Sequence, residues 1–186
     1  QDPIGLLGGN NLYQFAPNAQ GWVDWLGLSY GFNIKANRWT NFETGKFVQK
    51  PSTLSGQAQA VHNLAGGLKP SKISIEKSTV AIFEVQLRDG SKTLYAAGSS
   101  GVLNPRQRAL LKQIGVPEKN ILFGKGSVLP VTKVNSNINH AEQIILRNIP
   151  KDAKVTRKGI SWSSKHKNAP CSKCQSSVDG AGGVYD

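Results

Sequence analysis

His140, Glu142, Cys171 and Cys174 are the residues whose types and spacing could do chemistry. They stand in the runs His-Ala-Glu at 140–142 and Pro-Cys-Ser-Lys-Cys at 170–174. One imidazole and two thiolates make three good zinc ligands, and a catalytic zinc site keeps its fourth position for water. Two cysteines three apart at the start of a helix grip one ion from its first turn. The helix N-terminus also favours their thiolate form. The histidine then comes from a second helix. Glu142, two residues on, falls beside the metal rather than on it, free to take a proton from the water and hand it on. Cys171 and Cys174 are the chain's two cysteines, too few for a disulfide scaffold. A redox pair would want a thioredoxin-like βαβ setting directly upstream, which the sequence lacks. A closed structural zinc site needs a fourth ligand, for which His166 or His62 is available. A cytosolic working environment fits a metal or a redox pair.

The elements that must position these residues are legible in part. Leu54, Ala58, Val61, Leu64 and Ala65 lie at helical spacing, with Ser52 or Thr53 as cap and Gly66-Gly67 as stop. Thr79–Leu87 is β-branched and apolar, a strand. Arg88–Ser91 is a turn around Asp89-Gly90, and Lys92–Ala97 is the returning strand. Pro105 opens a helix that runs to Gly115. Ile121–Phe123 and Val128–Val131 read as a small hairpin around Gly124 and Gly126. Asn139–Ile149 is a helix closed by Pro150, Ile160–Ser163 a strand, and Cys171–Val178 a helix. The tail, Asp179–Asp186, is Gly-rich. Interleaved helices and strands of this kind imply an α/β layer structure.

Composition bounds the function. The chain has 186 residues, a one-domain length with a short appendage. No run approaches the roughly 18 apolar residues of a membrane span, and no signal-peptide pattern opens it. It contains no methionine, which reads as a fragment of a longer polypeptide. The net charge is +12, with 23 basic and 11 acidic residues. Residues 1–28 hold only Asp2 and Asp24 among charged residues, so the basic excess lies in 29–186. So basic a domain implies a polyanionic partner, most commonly nucleic acid. Arg147, Lys151, Lys154, Arg157, Lys158, Lys165, Lys167 and Lys173 bracket the Cys-x-x-Cys helix against the single acid Asp152. They are the candidate track for a phosphate backbone. Trp162 is a candidate for stacking on a base, and Ser99, Asn139 and His166 are candidate pocket residues from their positions alone.

H-x-E followed by P-C-x-x-C is the signature of zinc deaminases, and residues 53–186 resemble the cytidine deaminase-like superfamily. The resemblance implies a mixed sheet sandwiched by helices in three layers, in the order α-β-β-α-β-α, with an insertion at roughly 100–137. Ser161-Trp162-Ser163 is similar to the S-W-S before P-C in the AID/APOBEC polynucleotide cytosine deaminases, with Ser164–Ala169 inserted here. The chain stops a dozen residues after Cys174, so either the sheet is minimal or the insertion supplies its edge. Pro17-Asn18 and Asp24-Trp25-Leu26-Gly27-Leu28 are similar to the junction that ends the Rhs-repeat core of bacterial polymorphic toxins, with Trp25 where proline is usual. That similarity implies self-cleavage between Leu28 and Ser29 with Asp24 in the protease motif. It divides the chain into an Rhs end at 1–28, a linker at 29–52 and a deaminase domain at 53–186.

The expectation is therefore a zinc-dependent cytosine deaminase toxin acting on nucleic acid, foremost single-stranded DNA. An Rhs shell would deliver it into the cytoplasm of a rival bacterium, and a cognate immunity protein would protect the producer. RNA, double-stranded DNA or adenine are the rival substrates. The high charge speaks against free nucleosides, which need no track. From another class comes a non-catalytic zinc-stapled nucleic-acid-binding module, with His166 in place of water. A structural end-piece of the shell fits the basic, motif-bearing part of the chain least well.

Overall fold

A computed structural model describes residues 30–33, 36, 38–41, 45–65, 76–132, 135–163 and 167–186. Asp24, Leu28, Ser29, Gly66-Gly67, Lys165 and His166 lie outside the described residues. The chain divides into two compact units, Gln1–Gln49 and Lys50–Asp186. In the first, β1 (Tyr30–Asn33) and β2 (Arg38–Asn41) form an antiparallel hairpin with Phe32 opposite Trp39. Thr40 bridges to Phe47, and the Arg38 guanidinium sits 5.0 Å from the Phe47 ring centroid. The zone read as a linker thus carries a hairpin.

The second unit opens with α1 (Leu54–His62), where the Thr53 hydroxyl accepts from the Gly56 N–H as N-cap. The expected strand pair follows as β3 (Thr79–Gln86) and β4 (Lys92–Gly98), antiparallel. Next comes α2 (Pro105–Ile114). Its start is a full capping box between Asn104 and Gln107 with Pro105 in the first turn, and its end is Gly115 at φ 107°. Asn104 and Gln107 also donate to the Leu64 and Val61 carbonyls, which ties α2 to the end of α1. After β5 (Ile121–Leu122) come α3 (Ala141–Asn148), β6 (Lys154–Trp162), α4 (Ser172–Gly180) and β7 (Val184–Tyr185).

Among the described residues the five strands of this unit form one mixed sheet, ordered β5-β4-β3-β6-β7. The outer pairs are parallel and the inner pairs antiparallel. Alternate residues of the central strand β3 feed opposite faces. Ala81, Phe83 and Val85 share a buried cluster with Ala141, Ile144 and Ile145 of α3 and Cys174 and Val178 of α4. Val80 and Ile82 point the other way, where α1 packs on β3 and β6 and α2 packs on α1. The result is the three-layer α/β arrangement expected of a cytidine deaminase-like fold. Among the described residues no helix is long and apolar enough to cross a membrane.

Three elements differ from expectation. Val128–Val131 is not a strand: a 3-10 turn at Lys125–Ser127 precedes it, and the Leu129 backbone is paired by the Asn139 side chain instead of by a neighbouring strand. β6 begins six residues earlier than expected, because Arg157 and Lys158 find partners within the fold. Lys158 is buried and donates to the Val178 carbonyl at 3.0 Å, while Arg157 pairs with Asp186 and Glu84. The Gly-rich tail forms the edge strand β7. Both edges are therefore supplied, one by β5 from the insertion and one by β7.

Candidate metal centre and active site

The chemistry-bearing residues sit at two helix starts that meet over one end of the sheet. His140 is the N-cap of α3 and Cys171 the N-cap of α4, and neither spends its side chain on capping. The His140 Nδ1 lies 3.3 Å from the Cys171 sulfur and 3.3 Å from the Cys174 sulfur. The three donor atoms all lie within 4.8 Å of one another, close enough to hold one metal ion. The sequence of α3 explains the placement. Ala141, Ile144 and Ile145 form its buried stripe on β3 and β4, which fixes its rotation and turns its first residues toward α4.

Glu142, in the first turn of α3, is 2% exposed, and its buried Oε2 has no hydrogen-bond partner among the described residues. Burial raises its pKa above the ordinary carboxylate value. The Cys174 thiol is pushed up to about 12, first by burial and then by the neighbouring charges of Glu142 and Cys171. Burial, seconded by the Lys173 ammonium, lowers the pKa of His140 and favours the neutral imidazole. A divalent cation among these donors is the one partner that favours thiolates, carboxylate and neutral imidazole together. The donor set, one nitrogen and two sulfurs with a carboxylate alongside, suits zinc.

Asn137, which sequence reasoning missed, joins the two motifs. Its amide nitrogen donates to the Lys173 carbonyl at 2.9 Å and lies 3.9 Å from the Cys174 sulfur. It stands where an outer partner of a candidate ligand would stand. The only signal in the sequence is the run of asparagines at 135, 137 and 139. The periodicity does not tell which of them meets α4.

The remaining sequence candidates scatter. Asn139 uses both ends of its amide on the Leu129 backbone. Its carbonyl accepts from the Ser100 N–H at 2.7 Å, which docks the Ser99–Gly101 turn on the site. The Ser99 hydroxyl accepts from the Thr79 N–H and so ties the start of β3 to that turn. Trp162 is half-buried against the core and donates from Nε1 to the Ala169 carbonyl, with the Lys167 ammonium 4.6 Å from its ring centroid. Lys173 bonds to Ser136 at 3.2 Å beside the loop that leads to His140. His62 lies on the α1 face and bonds to Ser161 at 3.0 Å, away from the sulfur cluster.

The candidate phosphate track is broken up by the fold. Arg147 donates to the Ile138 and Ser127 carbonyls, and Arg157 and Lys158 are engaged within the protein. Lys154 starts β6 opposite Gln86, at the end of the sheet remote from Trp162. Lys167 and Lys173 remain exposed near the cysteines.

A family model described as a bacterial deaminase MsddA-like domain matches residues 57–176, which include all four chemistry-bearing residues. Among curated proteins, double-stranded DNA deaminase toxin A of Burkholderia cenocepacia (strain H111) is 66% identical over 34 residues. That stretch is 18% of this chain and 2% of the relative. No solved structure gives a match.

Proposed function

The chain belongs to the MsddA-like family of bacterial deaminase domains, and from that premise we propose that it hydrolyses cytosine to uracil in DNA, foremost in single strands. The observation that carries this reading is the meeting of the His140 Nδ1 with both cysteine sulfurs at 3.3 Å, beside the buried Glu142. His140, Cys171 and Cys174 would hold a zinc ion. When bound, the ion supplies an acidified water as nucleophile at neutral pH.

Glu142 does the proton work. Its raised pKa suits a group that must both take and give a proton near neutrality. The water oxygen bonds to the amine-bearing carbon, and Glu142 takes the proton that the water loses. It delivers this proton to the ring nitrogen next to that carbon. A second proton from the same water passes through Glu142 to the departing amine. The carbon–nitrogen bond breaks, and uracil and ammonia leave. The target base must be out of a stack to reach this site, and a single strand avoids most of the unpairing cost.

The relative's name gives a second reading, duplex DNA as substrate. It also supports a toxin role, in which the domain is delivered by a parent protein into the cytoplasm of a target bacterium and held in check in the producer by an immunity protein. The Asp24–Leu28 resemblance supports an Rhs shell as that parent, with cleavage before Ser29. Intact-mass measurement of the parent protein, wild type against Asp24→Ala, tests the cleavage.

The deaminase reading is tested by incubating the chain and its Glu142→Ala variant with labelled oligonucleotides holding one cytosine, single-stranded and duplex. Uracil is read by glycosylase treatment and strand scission. Scission by the wild type alone is expected. Uncut DNA of both forms, from protein with one zinc per chain, would overturn the DNA cytosine reading and move attention to RNA and adenine. Equal scission by wild type and Glu142→Ala would remove Glu142 from its role.

A further inference from the structure

A cleft of about 260 Å³ lies between α2 and the segment after β5, lined by Pro105, Arg108, Lys112, Glu118, Ile121 and Phe123. It is too small for a large ligand and fits one planar ring. The Arg108 guanidinium lies 4.3 Å from the Phe123 ring centroid, and Phe123 itself is 42% exposed. Among the described residues the buried Arg108 Nε has no hydrogen-bond partner. Lys112 holds Glu118 at 2.7 Å, which leaves the cleft a positive charge from Arg108. Lys125, two residues past Phe123, is exposed.

The cleft connects to the metal-ligating loop by main-chain bonds. Gly124, next to Phe123, donates to the Gly101 carbonyl at 2.8 Å, and Ser100 donates to the Asn139 carbonyl at 2.7 Å, one residue before His140. Gly101 is at φ 67°, and a methyl group there would meet the Gly124 carbonyl at 2.9 Å, so the two segments lie in contact. Val102, on the same turn, is 69% exposed. A stacked aromatic–arginine pair, a net positive charge and an unsatisfied donor together suit one ligand chemistry, a nucleobase with its phosphate.

We propose that the Arg108–Phe123 cleft binds a nucleotide flanking the target in a single-stranded substrate, its base stacked on Phe123 and its phosphate at Arg108. The proposal rests on the deaminase reading and adds to it the surface that holds the strand. That surface lies at α2 and the β5 segment instead of along residues 146–174. The fold has already engaged much of the basic charge there.

The test uses the full chain carrying Glu142→Ala, so that no turnover occurs, and a fluorescein-labelled single-stranded DNA oligonucleotide read by anisotropy. Phe123→Ala is expected to weaken binding about tenfold, the size of one lost base stack. Arg108→Lys keeps the charge, loses the planar partner, and is expected to weaken binding about fivefold. Arg88→Ala, an exposed charge at the β3–β4 turn, is expected to stay within twofold. Circular dichroism checks that each variant folds. With Glu142 intact, Phe123→Ala should raise KM for the oligonucleotide and leave kcat unchanged. Binding by Phe123→Ala within twofold of its parent overturns the proposal. Deamination with an unchanged KM in that variant does the same and leaves the deaminase reading standing. Tenfold weaker binding in a protein that deaminates no oligonucleotide removes the deaminase reading and keeps the cleft.

Discussion

Gly159 of β6 runs so close beneath Leu54 that a methyl group on it would lie 2.2 Å from the Leu54 carbonyl carbon and 2.5 Å from the Ser55 nitrogen. The obstacle is backbone at the start of α1, which cannot swing aside as a side chain can. Gly159→Ala should therefore cost about 3 kcal/mol, the upper part of the range for overpacking. Urea denaturation checks this, and a loss under 1 kcal/mol would mean that α1 is free to lift from the sheet.

Removal of metal and removal of the proton carrier should separate. Cys171→Ser and His140→Ala should each lose bound zinc, measured by mass spectrometry of the metal, and with it deamination. Glu142→Gln should keep one zinc per chain and lose about a thousandfold in kcat. Treatment with a chelator should act like the cysteine variant and be reversed by added zinc.

Asn137 touches no substrate in this reading, and its effect should pass through Cys174. Asn137→Ala should weaken zinc about tenfold in a chelator competition, as loss of an outer partner does. With zinc in excess, kcat should return close to the wild-type value.

Asn139 should show the converse pattern. Asn139→Ala frees the Leu129 backbone that it clamps at 2.7 and 2.9 Å. Zinc content should hold, deamination should fall about tenfold, and amide exchange at Leu129 should speed up.

Glu84 gives a pH dependence with a defined sign. Its carboxyl is held below the ordinary value of 4.5, first by the Thr156 hydroxyl and then, against the opposing effect of burial, by Lys92. A depressed carboxylate stabilises the fold fully above the unfolded value and loses that contribution as pH falls through the folded one. The gap in Tm between wild type and Glu84→Gln should be constant above about pH 5.5 and close progressively below pH 4.5. A gap that instead widens toward acid would reverse the assignment.

The legible parts of this sequence were those where one residue type has one local use. Asn104-Pro105 and Gly115 bracket α2 because a cap, a fixed φ and a left-handed stop each have few alternatives. The spacings within His140–Glu142 and Cys171–Cys174 translate directly into positions on a first helical turn. What stayed hidden depends on distant partners. The strand character of 154–159 is masked by Arg157 and Lys158, whose charges are settled by Asp186, Glu84 and the Val178 carbonyl. Val128–Val131 has the composition of a strand but pairs with no strand among the described residues. The basic residues of 146–174 form a track along the sequence, but the fold buries Lys158 and engages Arg147 and Arg157 in bonds within the protein.

Asp186 has a consequence for the order of assembly. Its carboxylate accepts the Leu54 N–H, its main-chain oxygen accepts the Ser55 N–H, and Arg157 secures the carboxylate. The N-terminus of α1 is thus completed by a residue 132 positions later in the chain. Closing so long a loop is an entropic cost that local contacts cannot share, and folds with such distant closures form slowly. On a ribosome, α1 and the sheet face it covers would wait unfinished until Asp186 has emerged. Synthesis of the whole of 54–186 then becomes the clock that decides when the α1 layer can be sealed onto its face of the sheet.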